Sequence, residues 1–152
     1  LPSSRLRVLD SEVGEARRFL PRMLGGLVPA GHLDDLEMCV SELVTNALHA
    51  ARAYAEVCGF GWSYSDTPIH LSVEAAERWS RLSVRDPNPA MPETAPGGLL
   101  DEGGRGLVIV DAIAACRWHA TTARDKTVHA IVPMPLVRLT ATEIAEIRAA
   151  VR

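Results

Sequence analysis

Glu42 and Asn46 stand four residues apart in the stretch SELVTNALHA, a spacing that puts both on one face of a helix, one turn apart. An acid and an amide so placed suit magnesium-assisted phosphate chemistry. The amide oxygen of Asn46 is a neutral oxygen ligand of the kind magnesium takes alongside phosphates and waters. The carboxylate of Glu42 can accept the proton of an attacking hydroxyl or water. The same two residues would also suit a solvated polar stripe on an amphipathic helix.

Asp86 ends a strand in VRDPNP. A carboxylate there, at the mouth of a pocket, can accept a hydrogen bond from the amino group of adenine, where guanine would present an oxygen. Pro87 stops the strand, and Asn88 tolerates the left-handed turn that a ligand loop can require. An ordinary Asp-Pro turn is the plain alternative. Further on, DEGGRGLVIV sets Gly103, Gly104 and Gly106 around Arg105. Glycines let backbone N–H groups approach phosphate, and the helix that follows aims its positive end at the same place. Arg105 adds a charged donor. No Gly-Lys-Ser/Thr follows, so this is not a Walker motif, and no strand immediately precedes it, so it is not a dinucleotide fingerprint. A flexible loop before an ordinary helix remains open. Thr127 enters a late strand, where a β-branched residue is at home whatever it touches. Trp62, Trp79 and Trp118 read as packing residues.

These groups need elements to hold them. Residues 5–9 alternate and predict a first strand. Ser11 is a fair N-cap for a helix over 12–27, which Pro21 should kink or break. A second helix over 33–57 carries Leu33, Leu36, Val40, Leu43, Val44, Ala47 and Leu48 at helical spacing, the strongest such pattern in the chain. Strands follow over 69–75 and 81–85, joined by a turn at 77–80. Residues 87–106 hold four prolines and five glycines, and a loop this long inside a domain is usually functional or disordered. A third helix starts at Gly106, strands follow near 118–122 and 127–132, and Thr140 caps a last helix with Glu143 at the reciprocal position. The order predicts an α+β fold, a two-layer α/β sandwich with a mixed sheet, helices on one face and a Pro/Gly-rich lid, rather than a parallel βαβ fold.

Length fits one domain over 1–152. A net charge of −3 argues against nucleic acid or anionic membrane as main partner. No apolar run approaches the roughly 18 to 20 residues of a membrane span. The opening Leu-Pro-Ser-Ser-Arg is no signal segment, and the lack of an initiator Met leaves room for a longer parent chain. Cys39, Cys58 and Cys116 form neither a disulfide framework nor a metal pattern, which suits a reduced cytoplasmic setting. The five histidines form no His-x-x-x-His pair, so a zinc site is not expected.

Taken in order, these motifs resemble the GHKL ATPases, a superfamily that includes gyrase, histidine kinases and MutL. Within it the chain looks most like the small anti-sigma-factor serine kinases of bacteria. SELVTNALHA, GGRGLVIVDAIA and DKTVHAIVP carry the resemblance, over about 5–133, with 134–152 outside it. It implies a Bergerat-type fold with ATP and Mg²⁺ held between the helices and a mobile lid. Glu42 would be the general base and Asn46 the magnesium ligand. Asp86 and Asn88 would lie at the adenine, Gly103, Gly104, Arg105, Gly106 and Leu107 at the phosphates, and Thr127 would support the adenine end. The implied activity is transfer of the γ-phosphoryl of ATP to a serine on an antagonist protein, by a cytoplasmic homodimer that also sequesters a sigma factor. An ATP-binding switch without kinase activity, or a GHKL domain cut from a larger regulator, is the alternative. Two places depart from the family pattern. Pro87-Asn88-Pro89 stands where a Gly or Ser is usual near Asn88, and His49-Ala50 stands where Arg-His is frequent.

Overall fold

The computed structural model describes residues 2–6, 11–58, 69–89 and 102–151, with the side chains of 57, 58 and 102–106 outside that description. Nine elements follow one another: β1 (Ser3–Leu6), α1 (Glu12–Leu24), α2 (Ala30–Cys58), β2 (Ile69–Ala75), β3 (Trp79–Asp86), α3 (Glu102–Ile113), β4 (Cys116–Thr121), β5 (Lys126–Pro133) and α4 (Ala141–Ala149). The strands form one sheet in the order β1-β2-β3-β5-β4.

Every neighbouring pair in this sheet is antiparallel, so the expected mixed sheet is corrected. The reason is topological. β3 and β4 run the same way, since each is antiparallel to β5, but β5 inserts between them and removes the parallel contact. At the other edge, α1 and α2 form a pair that returns the chain so that β2 runs back along β1.

Alternation along the strands sorts their side chains onto two faces. Ile69, Leu71 and Val73 of β2, Leu82 and Val84 of β3, and Val128, Ala130 and Val132 of β5 turn inward. There they meet Ala16, Phe19 and Leu20 of α1, the apolar face of α2, and Leu107 and Val110 of α3. The opposite face carries a smaller cluster. Ile131, Leu139 and Ile147 pack there with Trp79, Cys116 and Trp118, so α4 covers part of the outer face and not all helices share one side. Thr140 caps α4 as expected, accepting from the Glu143 N–H at 3.1 Å while Glu143 Oε1 accepts from the Thr140 N–H at 3.2 Å.

Other boundaries move for local reasons. Ser11 is itself helical in backbone and makes no cap bond with its side chain. Pro21 lies inside α1 without breaking it. The helix ends at Leu24, and Gly26 takes a φ of 81° just beyond, a conformation that glycine adopts without steric cost. α3 starts at Glu102 rather than Gly106, so the glycine run is helical rather than a loop. Residues 90–101 of the Pro/Gly-rich stretch lie outside the described residues, as does Trp62. Cys39 is buried in the core, and burial pushes its thiol up to about 12, which suits an inert packing role. No described helix is long and apolar enough to cross a membrane.

One buried polar contact ties the start of α2 to the sheet: His32 Nε2 lies 2.8 Å from Ser80 Oγ, with both residues fully enclosed. Ser80→Ala should leave that imidazole nitrogen without its partner and cost about 1–3 kcal/mol of stability. Urea denaturation checks this, and an unchanged midpoint would show that the contact contributes nothing.

Candidate functional site

α2 lies along β3, and two hydrogen bonds fix their relative position. His32 meets Ser80 near one end. At the other, Asn88 Nδ2 donates to the Ala50 carbonyl at 2.9 Å. Between these points the helix advances about 27 Å at 1.5 Å per residue, and β3 advances about 20 Å from Ser80 to Asp86 at 3.3 Å per residue before the chain turns at Asn88. The two ties come in the same order along both elements, so helix and strand run in the same direction.

This alignment locates the helix residues against the strand. Glu42, Asn46 and Ala50 follow one another at successive turns of α2, a line that drifts only slowly around a helix. Asn46 sits about 6 Å before Ala50 along the axis, and Asp86 is the last residue of β3, just before the turn that holds Asn88. Asn46 thus lies one turn before the residue that ties α2 to the Asp86 corner, and Glu42 one turn further back. Both are half-buried, on the flank of the face formed by Leu43, Val44, Ala47 and Leu48. Neither side chain makes a hydrogen bond or ion pair with another described residue. Both side chains thus stand at the edge of the core.

Asp86 is buried, 2% exposed, on the helix side of the sheet. Its Oδ1 accepts from the Asn88 N–H at 2.9 Å, the side-chain-to-backbone turn that an Asp two residues back commonly makes. Its Oδ2 lies 3.4 Å from Lys126 Nζ, and that lysine is buried as well. Burial pushes the Asp86 carboxyl up to about 6, although Lys126 and the Asn88 N–H both pull it down. Asn88 therefore holds this corner twice: its backbone orients the carboxylate and its amide ties the corner to α2.

Lys126 is the residue that sequence reasoning missed. It pairs directly with Asp86 across β3 and β5, whereas Thr127 pairs with Arg85. Directly paired residues share a face, so Thr127 points away from Asp86. It lines a cavity of about 660 Å³ on the outer face, with His70, Ser83, Arg85, Trp118 and His129. Thr127 and Asp86, expected together at the adenine end, thus lie on opposite faces of the sheet. The signal was available: Val128, Ala130 and Val132 mark the inward parity of this strand, and Lys126 shares it.

The glycine run lies in the first turns of α3, with Gly103, Gly104, Arg105 and Gly106 all in helical backbone. The first four N–H groups of a helix have no intrahelical partner and carry the positive end of the helix dipole. With the helix starting at Glu102, those N–H groups belong to about residues 102–105. The Arg105 side chain lies outside the described residues. Leu107 is buried and, with Val110, joins the core shared with α2, so Leu107 has a packing role besides whatever its N–H does. No group of three or more His, Cys, Asp or Glu able to hold a metal occurs among the described residues. Magnesium held by one or two protein oxygens together with phosphates does not need such a group.

Residues 7–132 match the histidine kinase-like ATPase domain. A stretch of 49 residues is 43% identical to an uncharacterized protein of Streptomyces coelicolor. It covers 31% of this chain and 46% of that protein, so the match spans about half the length of this curated relative. Among solved structures, the chain is similar to the SiaB–SiaC complex from Pseudomonas aeruginosa, with a TM-score of 0.55 and 13% identity over 87% of this chain and 89% of that one. It is also similar to the histidine kinase domain of a blue-light-activated histidine kinase from Erythrobacter litoralis, with a TM-score of 0.50 and 18% identity over 84% and 61% of the two chains. At such identities these likenesses concern the fold alone, and that fold is the antiparallel sheet and helical layer described above. With the family match running over most of its length, the chain belongs to the histidine kinase-like ATPase domains, the GHKL group.

Proposed function

We propose that the chain binds ATP·Mg beside α2, with the base at Asp86 and the phosphates toward Asn46 and the start of α3. The observation that supports this is the Asn88–Ala50 hydrogen bond, which ties the corner of the buried Asp86 carboxylate to α2 one turn beyond Asn46. The Asn46 amide fits the metal, as a hard neutral oxygen that no described side chain occupies. When bound, ATP·Mg supplies the transferable phosphoryl group and the charge that offsets it. Asn46 Oδ1 serves as the neutral metal ligand. The first-turn N–H groups of α3 hold phosphate oxygens. Glu42 takes up the proton of the attacking hydroxyl.

We further propose that the hydroxyl belongs to a serine or threonine of a small antagonist protein. The protein would then act as a regulatory kinase of the anti-sigma-factor type, a homodimer that sequesters a sigma factor in the cytoplasm, with residues 1–152 as one domain. The resemblance of SELVTNALHA, GGRGLVIVDAIA and DKTVHAIVP supports this. So does the likeness in fold to a protein whose structure is that of a two-protein complex.

Asn46→Ala should abolish magnesium-dependent ATP affinity in calorimetry, and unchanged ATP·Mg binding would remove the metal assignment. Glu42→Ala should lower phosphotransfer by about 10²–10⁴-fold, the usual worth of a general base, while ATP binding largely survives. A labelled-ATP assay on proteins captured with the chain measures this. Equal transfer by mutant and wild type would exclude the general base, and tight binding with no transfer by either would indicate an ATP-binding switch instead.

The charge state of Asp86 gives a third test. Its carboxyl is raised from 3.8 to about 6, mainly by burial. The folded protein then holds this proton more tightly than the unfolded chain does. Ionising Asp86 therefore costs stability, with no cost below about 3.8, a growing one up to about 6, and the full cost above. The carboxyl carbon of Asp86 should titrate by NMR with a midpoint near 6 in the free protein, and a midpoint below 4 would contradict its enclosure.

A further inference from the structure

Lys126 stands where its ammonium and the Asp86 carboxylate face the same buried corner, 3.4 Å apart. Strand register fixes the arrangement, since the two residues are direct partners across β3 and β5. Stability alone does not account for it. Removing two charges from water is costly, and a buried ion pair can often be replaced by apolar residues of similar volume without loss. What the pair does supply is a hydrogen-bond pattern: an acceptor-only carboxylate beside a donor-only ammonium.

The edge of adenine is complementary to that pattern. Its amino group donates and the adjacent ring nitrogen N1 accepts. A lone carboxylate reads only the first and rejects guanine, which presents the oxygen O6 in place of the amino group. The pair behaves differently. Guanine offers O6 as acceptor beside N1–H as donor, the same two roles in the opposite order. Lysine carries its charge on a flexible four-carbon stem, so the ammonium can move to the side on which an acceptor arrives while the carboxylate takes the N–H. We propose that Lys126 is a base-reading residue, whose ammonium with the Asp86 carboxylate takes the edge of a purine and admits guanine as well as adenine. This role for Lys126 rests on the nucleotide site proposed above.

Calorimetry on the full chain with ATP, GTP and 1-deaza-ATP, in which a C–H replaces N1, separates the possibilities. In the wild type, ATP and GTP should bind within about tenfold of each other, and 1-deaza-ATP should bind about tenfold or more weakly than ATP, the worth of one hydrogen bond to a charged group. Lys126→Met should erase the difference between ATP and 1-deaza-ATP and weaken GTP at least about tenfold relative to ATP. Lys126→Arg, which keeps a charged donor, should retain GTP binding. The wild-type comparison needs no variant, so it decides the matter even if Lys126→Met fails to fold. Equal affinity of the wild type for ATP and 1-deaza-ATP, or GTP weaker than ATP by about 100-fold or more, would overturn the role of Lys126 and leave the ATP site standing. Binding of none of the three would remove the nucleotide site itself, and Lys126's role with it.

Discussion

The placement of α2 along β3 is the constraint on which the rest of the site depends. The seam between them is apolar on the helix side, with Leu36, Val40, Leu43, Val44, Leu48 and Ala51 all buried. Apolar contact is non-directional, so such a seam sets the distance between layers better than it sets register. A slip of one turn would carry Ala50 about 5.4 Å along the strand and break its hydrogen bond with Asn88. The polar contacts at either end resist that slip. His32 with Ser80, and Asn88 with the Ala50 carbonyl, each have a single position in which both partners are satisfied. The hydrophobic seam thus gives α2 its stability against the sheet, and the two hydrogen bonds give it its register.

Charge is treated differently on the two faces of the sheet. On the helix side Asp86 and Lys126 are buried together. On the outer side the pair Arg78–Glu143 keeps Arg78 exposed, as Asp111 is in the pair Arg117–Asp111 at the β4 edge of the helix side, and pairs in that setting contribute little to stability. The outer face is instead organised by a neutral ring. Burial, with Arg81 and His119 nearby, pushes His129 down to about 4. The uncharged imidazole then hydrogen-bonds Ser83 Oγ at 2.7 Å and stacks on Trp118 with ring centroids 4.8 Å apart. The Asp86–Lys126 pair, with both partners buried, sits at the candidate base site.

How much of this was legible in the sequence follows from the range of each signal. The apolar spacing from Leu33 to Leu48 predicts α2 because helical periodicity is local, and Thr140 with Glu143 predicts the start of α4 for the same reason. The direction of neighbouring strands was not legible, because the insertion of β5 between β3 and β4 joins residues far apart in the chain. Glycine propensity argued for a loop at 103–106. Glycine costs a helix about 1 kcal/mol per residue relative to alanine, and α3 nevertheless extends through them, continuous with the buried Leu107 and Val110. Lys126 was overlooked for another reason. The resemblance pointed to the β-branched residue beside it, while the parity of Val128 and Ala130 pointed to Lys126 itself.

These features share one consequence. α2 carries Glu42 and Asn46 directly, holds the Asp86 corner through Ala50, and shares a core with α3 through Leu107 and Val110. The proposed metal ligand, the base-reading carboxylate and the helix start that would meet the phosphates are all referred to a single rigid element. Their relative positions then need not be relayed through the connection between β3 and α3. Leu107 and Val110 keep the glycine-rich first turn of α3 at a fixed place from which its N–H groups point outward along the helix axis.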